Sequence, residues 1–436
     1  MTGWLLVALA TASVGEPRRG GERPLPSDSP SALSDDARFR VHWSTDPALA
    51  PEGAEDDAVP PGVDVVFDAI EQAEVAFRQR GYVAVSPDDG TGGDDALDIY
   101  FLPIDANGYA YPLRDAAPDG GAACYIELDS GLRGNLLASV IQHELHHCVQ
   151  FRYATRAAPW IYEASATWEQ YRLADASLDL GLQFLYGARL AEPDRPLDDR
   201  GDRYEYAGFL VFKHLDDYRR PAHRSAHVWE ALALDRDWQT ALGRVTDTSF
   251  DLSLEEWFAV YSTYNAFACG LSDERHYDED TAGCTIEASV PIVDIAIGET
   301  VAVSASAAPL TSTTYELAVD DSADIEWSCD TPASGAWVAT LTPVDARGTG
   351  GLTTRTSVIP SAGRVQTQGD VDADGSVRIV MASVGEDPLD VSCTAQIAPA
   401  LEQPGSCRHA VYGTGPGWAW LGVLTGLGIR GRRRRR

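Results

Sequence analysis

His143-Glu144-Leu145-His146-His147 is the stretch of this 436-residue chain that decides the fold, because its spacing fits the pattern HExxH. On a helix, residues four apart project from the same face, so the two outer imidazole rings can bind one divalent ion. Glu144 follows the first of these ligands and can act as a general base toward a water molecule at that ion. The chain has only nine histidines, so a chance match is rare. The stretch therefore predicts a metal site carried by a helix.

The residues around this motif predict the helix itself. Apolar residues recur at three- and four-residue spacings from about Leu136 to Tyr153, which indicates a helix with one buried face. Asn135 or Ser130 is the expected cap at its start. The preceding residues, 123–128, have the composition of a β-strand. A peptide could bind beside the metal helix by adding to this strand.

A third protein ligand is needed, because catalytic zinc usually takes three and keeps its fourth position for water. The long metzincin pattern requires Gly at position 150 and His at position 153, where this chain has Gln150 and Tyr153. Glu163 is the better candidate, on a second predicted helix that begins after Pro159. The alternative is Glu169, which lies six residues later and on a different face of that helix.

The order of these motifs, HExxH at 143–147 and then Glu163-x-x-Ala166, resembles the gluzincin arrangement, in which a glutamate of the second helix is the third zinc ligand. The context over roughly residues 36–270 is similar to a family of secreted metalloproteases from myxobacteria and related predatory bacteria. The segments that carry this similarity are Phe39-Arg-Val-His-Trp, Gly81-Tyr82, Asp98-Ile-Tyr-Phe, HELHHCVQ and WIYEASATWE. The resemblance implies a Zn²⁺ ion and a peptide or protein substrate, with the metal ligands His143, His147 and Glu163.

The resemblance also implies a phenol or imidazole that stabilises the oxyanion, since gluzincins commonly use a downstream Tyr or His for this. In this chain, Tyr204 and Tyr206 open an apolar helix that runs to about Leu215. Tyr206 is the first candidate for the catalytic phenol and Tyr204 is the second. Either tyrosine could equally pack its ring in the core and leave its hydroxyl in water.

The layout of predicted elements indicates an α+β protein. Strand patterns at 37–43 and 97–102 come early, and helical patterns dominate from 135 to about 268. The resemblance implies that residues 36–270 form a zincin-like metallopeptidase domain with a small sheet and a helical lower half. From about residue 285, Val, Thr and Ser become frequent and short alternating runs replace the helical patterns. Residues 285–398 are therefore predicted to form an all-β sandwich domain.

Both termini have the composition of targeting segments. Residues 1–15 resemble a secretory signal peptide, because an apolar run precedes small residues at 10–12. Residues 16–35 are rich in Pro, Ser and Gly and are predicted to be a disordered linker. Residues 399–436 contain a cysteine, an apolar run too short for a bilayer and a terminal arginine cluster, which together resemble a MYXO-CTERM sorting tail. A disordered basic tail is the alternative interpretation of this last segment.

The seven cysteines are typical of a protein in an oxidising compartment. Grouped by region along the chain, they suggest three disulfides and one residue left over: Cys124–Cys148, Cys269–Cys284, Cys329–Cys393 and Cys407. The first of these pairs would connect the predicted strand to the metal helix.

The net charge of −32 disfavours nucleic acid and anionic lipid as partners. We therefore expect a secreted or surface-anchored zinc endopeptidase, with anchoring through the C-terminal tail. One alternative is a catalytically silent surface adhesion or binding protein on the same scaffold. Another is a zinc-dependent hydrolase with a substrate other than peptides. The intact Glu144 favours an enzyme, because a binding protein has no need of a general base.

Overall fold

The computed structural model of the chain describes residues 12–14, 24, 29–46, 49–54, 59–88, 90, 93–113, 121–173, 188–218, 222–266, 292–296, 298–319, 323–330, 337–344, 355–359, 364–371, 375–383 and 389–399. Within these residues the protein is a mixed α+β structure with three β-sheets, which confirms the expected α+β class. The expected signal peptide is described only at 12–14, and the expected sorting tail only at its first residue. The prediction of a disordered linker over 16–35 is wrong at its end, because Ser31–Leu33 form a strand that pairs with residues 40–42.

A six-stranded mixed sheet lies in the N-terminal part, with the strand order β1, β5, β6, β4, β3, β2. Its strands are β1 (Ala12–Val14), β2 (Ser31–Leu33), β3 (Phe39–His42), β4 (Leu97–Leu102), β5 (Gly108–Pro112) and β6 (Cys124–Asp129). In β4, Ile99 and Phe101 belong to the main hydrophobic core, whereas Tyr100 belongs to a separate cluster of tyrosines and leucine. Both faces of this strand are therefore covered, as its unbroken run of buried residues indicates.

The position of β6 corrects one expectation from the sequence. β6 lies between β4 and β5 and pairs with both, in parallel with β4 and antiparallel with β5. A peptide cannot add to a strand whose two edges are already paired, so the prediction that substrate binds along residues 123–128 is wrong. β5 also has a neighbour on each side, because β1 pairs with it in parallel and forms the edge of the sheet.

The described helices of the N-terminal part follow β6 in the chain, apart from the first, which lies between β3 and β4. They are α1 (Pro61–Gln79), α2 (Gly134–Phe151), α3 (Pro159–Leu173), α4 (Tyr204–Ala207), α5 (Phe209–Asp217), α6 (Arg224–Leu234), α7 (Trp238–Phe250) and α8 (Leu254–Ala266). α1 begins with Pro61, whose fixed φ and missing N–H suit the first helical position. Among the helices of the described residues, none is both long enough and apolar enough to cross a membrane.

α2 lies at the centre of the N-terminal part and packs against α1, α3, β5 and β6. Every residue from 139 to 151 is buried, so the helix is covered on all sides rather than on one face as the sequence pattern predicted. The expected caps, Asn135 and Ser130, are also wrong. The helix begins after Arg133, whose backbone is extended and whose guanidinium donates to the carbonyls of Ser130 and Leu132.

A close approach between α3 and the start of α5 depends on small residues. A Cβ atom at Gly208 would lie 3.0 Å from the Cβ of Ala164 and 3.2 Å from the ring of Trp160. Glycine at 208 therefore lets α4 and α5 lie directly against α3. This contact places the tyrosines of α4 next to the helix that carries Glu163.

Two further sheets follow residue 290, where the sequence predicted strands. The five-stranded sheet has the order β12, β11, β14, β9, β7, and the four-stranded sheet has the order β13, β10, β15, β8. Their strands are β7 (Ile292–Ile295), β8 (Thr300–Ala307), β9 (Thr311–Val319), β10 (Ala323–Asp330), β11 (Trp337–Val344), β12 (Arg355–Ile359), β13 (Arg364–Val371), β14 (Gly375–Ser383) and β15 (Leu389–Pro399). All described neighbours pair antiparallel except β7 and β9.

A disulfide between Cys124 and Cys148 connects β6 to α2, with 5.5 Å between the Cα atoms, as the sequence predicted. In the C-terminal sheets, the backbone register sets Cys329 directly opposite Cys393, and Cys393 is disulfide-bonded. The predicted pair Cys269–Cys284 and the leftover Cys407 lie outside the described residues.

Removal of the Cys124–Cys148 disulfide should destabilise the protein, because it frees a loop with a sequence separation of 24 residues in the unfolded chain. For the double variant Cys124→Ala/Cys148→Ala we expect a loss of about 2–4 kcal/mol in the free energy of unfolding, measured by urea titration with tryptophan fluorescence. The parent protein under reducing conditions should show at least as large a loss, because reduction also breaks the disulfide of Cys393. An unchanged unfolding midpoint in both would contradict this assignment.

Candidate metal centre

The two outer histidines of the motif present their Nε2 atoms to one carboxylate. His143 and His147 lie one helical turn apart on α2, with ring centroids 4.8 Å apart and ring planes nearly perpendicular. Their Nε2 atoms are 3.3 Å and 3.6 Å from Oε2 of Glu163, which comes from α3. All three side chains are buried, so water does not compete freely for these atoms.

The spacing of these three residues fits a metal ion. One ligand atom from each residue can be chosen so that all three lie within 4.8 Å of one another. Neighbouring ligands of a tetrahedral ion with bonds of 2.0–2.2 Å are separated by about 3.4 Å, so small side-chain shifts complete the site. His143, His147 and Glu163 are the only group of three or more such ligands among the described residues. These residues could therefore hold a metal ion, as the sequence predicted.

Glu169, the alternative third ligand, is engaged elsewhere. Its carboxylate forms an ion pair with Arg80 and accepts a hydrogen bond from the hydroxyl of Tyr82 at 3.2 Å. Both partners come from the end of α1 and the turn after it. Six residues separate Glu169 from Glu163, so the two glutamates project from different faces of α3. Glu169 thus connects α3 to α1 and does not belong to the metal group.

Glu144 is fully buried beside the metal group. Neither carboxylate oxygen of Glu144 has a hydrogen-bond partner among the described residues, and burial raises the pKa of this carboxyl to about 8. A buried carboxyl without partners costs free energy, so it indicates a functional role more than a structural one. A Cβ atom at position 108 would lie 2.8 Å from Cγ and Oε1 of Glu144. Gly108 on β5 is therefore what gives Glu144 its space.

The charges of the three candidate ligands shift one another's pKa values. Burial by itself would lower the pKa of His147, but the carboxylates of Glu163 and Glu144 raise it to about 9. Burial by itself would raise the pKa of Glu163, but the two histidines hold it at about 2. For His143, burial prevails and lowers the pKa. Without a metal, a positively charged His147 therefore faces an ionised Glu163, and a dication can replace the histidine proton.

The two candidate tyrosines on α4 have different environments. The hydroxyl of Tyr204 donates to the carbonyl of Glu192 at 2.7 Å and accepts from Arg189, so it is engaged away from the metal group. The ring of Tyr206 lies 6.2 Å from that of His143. Burial and the nearby carboxylates, Glu163 foremost, raise the pKa of Tyr206 above its ordinary value, so its hydroxyl stays protonated and can donate.

Three residues of the site were missed by reasoning from the sequence. They are Gly108, which makes room for Glu144, and two glutamines that accept from the Nδ1 atoms of the histidines, Gln150 and Gln170. The spacing of three residues between His147 and Gln150 was a usable signal, because such residues are neighbours on one helix face. Gly108 and Gln170 come from other elements, and nothing local in the sequence marks them.

His146 lies inside the motif but outside the metal group. Its ring packs edge-on against Phe77 and Tyr82, with centroids 5.0 Å and 4.9 Å away. Burial lowers the pKa of His146 well below its ordinary value, so the ring is neutral. This placement agrees with the 100° that separates His146 from His147 around the helix.

Comparisons with known proteins add little to this geometry. No family model matches the chain, and no curated protein matches it. Among solved structures, the pre-peptidase C-terminal domain of collagenase from Bacillus anthracis aligns at 11% identity and a TM-score of 0.18, over 25% of this chain and 95% of that domain. A β-glucosidase from Paenibacillus barengoltzii aligns at 12% identity and a TM-score of 0.17, over 24% of this chain and 11% of that enzyme. Similarity at these TM-scores carries no argument about fold or function.

The two glutamates of α3 should differ sharply in their effect on metal binding. Glu163→Ala removes a ligand, so we expect zinc affinity to fall by more than the roughly 10–100-fold that is typical of residues behind the ligands. Glu169→Ala breaks the contacts to Arg80 and Tyr82 and should lower stability while leaving zinc affinity unchanged. Competition with a chromophoric chelator measures both affinities. Equal zinc affinities for the two variants would show that Glu163 is not a ligand.

Proposed function

We propose that this protein is a zinc-dependent endopeptidase of the gluzincin type, secreted or held at the outer cell surface. One observation carries the proposal: two imidazoles and one carboxylate from neighbouring helices converge, with a buried and unpaired Glu144 beside them. Burying the Glu144 carboxyl without a hydrogen-bond partner costs free energy. A structural metal site gains nothing from such a group, whereas a catalytic site can use it for proton transfer.

The donor set favours zinc among the common metals. His143 and His147 supply imidazole nitrogens and Glu163 one carboxylate, a set of three that is typical of catalytic zinc. Calcium and magnesium prefer six or more oxygen ligands, so they fit this group poorly. When bound, zinc supplies Lewis acidity that polarises a carbonyl and activates water.

The side chains of this protein have separate roles in the proposed reaction. Glu144 accepts a proton from the attacking water and returns it to the leaving amine. Burial raises the pKa of this carboxyl, which favours its holding the proton until the leaving amine accepts it. Tyr206 donates its hydroxyl proton in a hydrogen bond to the oxyanion of the tetrahedral intermediate. His143, His147 and Glu163 would hold the metal, and their burial limits competition from bulk water for these ligand atoms.

A peptide is the substrate that best suits the surroundings of Glu144. Gly108 on β5 touches Glu144, so an extended chain running along β5 would bring its backbone to the catalytic carboxyl. β1 (Ala12–Val14) occupies residues 108–110 of this edge, and because β1 lies within the signal-like residues 1–15, removal of that segment would free the edge for a substrate strand. This arrangement of a sheet beside the metal helix is the basis on which we assign the zincin-like architecture to residues 36–270.

Secretion and surface attachment are further parts of the proposal. The Cys124–Cys148 disulfide supports an oxidising compartment. The signal-like residues 1–15 would direct secretion, and the MYXO-CTERM-like residues 399–436 would attach the protein to the cell surface.

We assign a β-sandwich to the two sheets within 285–398. The net charge of −32 supports peptide over nucleic acid as the partner.

The role of Glu144 is tested by Glu144→Gln, which keeps the shape of the side chain against Gly108 and removes the base. We expect the variant to retain zinc and to lose casein cleavage by about 10²–10⁴-fold. Zinc content is measured by elemental analysis, and cleavage by release of labelled peptides. Glu230→Gln on the exposed side of α6 is the matched control and should retain both.

The same experiment separates the alternatives. Equal cleavage by the parent and by Glu144→Gln would refute the assigned role of Glu144. A parent protein that binds zinc but cleaves no member of a broad peptide library would be a binding protein or a hydrolase for another substrate. A parent protein without affinity for zinc would refute the metal site.

The choice between the two tyrosines is tested by their phenylalanine variants. Tyr206→Phe removes the proposed oxyanion donor, so kcat should fall by about 10²–10³-fold with little change in KM. Tyr204→Phe removes hydrogen bonds to Arg189 and Glu192, so it should lower the melting temperature and leave kcat near that of the parent. If Tyr204→Phe lowers kcat and Tyr206→Phe does not, Tyr206 has been assigned wrongly.

A further inference from the structure

We infer that Gln150 and Gln170 are positioning residues that determine which ring nitrogen each histidine presents to the metal. The inference rests on the proposed function, because it concerns the same metal site. It goes beyond that function in naming the side chains that hold the two imidazoles in their binding orientation. It follows from hydrogen-bond distances on the far side of both rings.

In each histidine, one ring nitrogen contacts the amide oxygen of a glutamine, and the other faces the carboxylate of Glu163. Nδ1 of His147 lies 2.7 Å from Oε1 of Gln150, and Nδ1 of His143 lies 3.0 Å from Oε1 of Gln170. The Nε2 atoms of the same rings lie 3.6 Å and 3.3 Å from Oε2 of Glu163. The two rings are therefore held in the same manner by two different helices.

The orientation of the Gln150 amide is fixed by the Tyr162 carbonyl, which can only accept a hydrogen bond. Its nitrogen donates to the backbone carbonyl of Tyr162 at 2.9 Å and to Oγ of Ser165 at 2.7 Å. A carbonyl oxygen cannot donate, so the amide nitrogen must face Tyr162 and the amide oxygen must face His147. An amide oxygen only accepts, so Nδ1 of His147 must carry the proton. In a neutral ring, Nε2 is then left with a free lone pair for the metal.

Further buried hydrogen bonds hold the Gln150 amide in this orientation. Gln150 is 0% exposed, and Ser165 is also buried and accepts from Nε1 of Trp229 at 3.0 Å. Rotation of the amide would leave several buried polar groups unpaired, which opposes the motion. Gln170 donates to Oγ of Ser139 at 2.8 Å, and because a hydroxyl can also donate, its orientation is less strictly determined.

Neutral amides suit this site better than carboxylates. Metal-binding histidines usually donate their second N–H to a carboxylate, a carbonyl or water. Here the site already buries the carboxyl groups of Glu144 and Glu163. A further carboxyl group would be costly to bury in the same small space. Gln150 and Gln170 orient the rings without adding such a group.

The inference is tested with variants that remove the acceptor and keep the shape. Gln150→Met and Gln170→Met have nearly the volume of glutamine and no amide oxygen. Zinc affinity, measured by competition with a chromophoric chelator, should fall about 10–100-fold in each. Gln142→Met is the matched control: it is buried on the same helix, it makes no hydrogen bond to either histidine among the described contacts, and it should bind zinc like the parent.

A second measurement reports on the ring protons themselves. In the cobalt-loaded parent, each histidine bound through Nε2 should give one exchangeable, strongly shifted Nδ1–H signal in the proton NMR spectrum, two in total. Gln150→Met should make the His147 signal exchange rapidly with water while the His143 signal persists. A merely structural role for Gln150 would lower the melting temperature without this selective change.

Gln170→Glu provides a rescue. Its carboxylate still accepts from Nδ1 of His143, and the hydroxyl of Ser139 can turn to donate to it. Gln170→Glu should therefore bind zinc more tightly than Gln170→Met, and should keep the His143 signal. If Gln150→Met does not fold, this pair at position 170 decides the inference.

The outcomes distinguish this inference from the function on which it rests. A parent protein that binds neither zinc nor cobalt overturns both. A parent that binds zinc, with Gln150→Met and Gln170→Met that bind it as tightly as Gln142→Met and keep both N–H signals, overturns the inference and leaves the proposed function standing. Weakened binding, selective loss of one N–H signal and rescue by Gln170→Glu support it.

Discussion

The contact between α2 and α3 at the level of Glu163 is the constraint on which the rest of the N-terminal structure depends. α2 buries an unusual set of polar side chains: His143, Glu144, His146, His147 and Gln150. Each buried polar group without a partner costs about 1–3 kcal/mol, so a helix with this composition needs a dense set of partners. α3 supplies most of them through the Glu163 carboxylate, the Ser165 hydroxyl and the Tyr162 carbonyl. Small residues at 164 and 208 also let α4 and α5 pack closely against α3.

Of the charged groups at this contact, the carboxyl of Glu144 is the one whose burial is not compensated. Glu163 and His147 satisfy each other, which is why their pKa values move apart to about 2 and about 9. Glu144 makes no hydrogen bond among the described residues, and burial outweighs the charge of His147 and raises the pKa of Glu144 to about 8. A fold selected for stability alone would pair or replace this carboxyl group. Its retention beside a ready set of metal ligands is the physical reason to assign catalysis to the site.

The sequence predicted the local parts of this arrangement well and the long-range parts less well. β4 has the predicted boundaries, and Cys124 pairs with Cys148, because periodicity and proximity along the chain are local signals. The choice between Glu163 and Glu169 needed the structure, since it depends on which helix each face of α3 meets. The same holds for β6, whose composition indicated a strand but not its two neighbours. Gly108 and Gln170 act on the site from other elements, so no pattern within the motif marks them.

The central claim is that His143, His147 and Glu163 bind one zinc ion. X-ray absorption at the zinc edge on the purified protein tests it most directly, because it reports the type and distance of the atoms around the metal. The account predicts only nitrogen and oxygen neighbours, at about 2.0–2.2 Å, together with outer-shell scattering from two imidazole rings. Sulfur in the first shell, no imidazole scattering, or no zinc retained by the protein would contradict it.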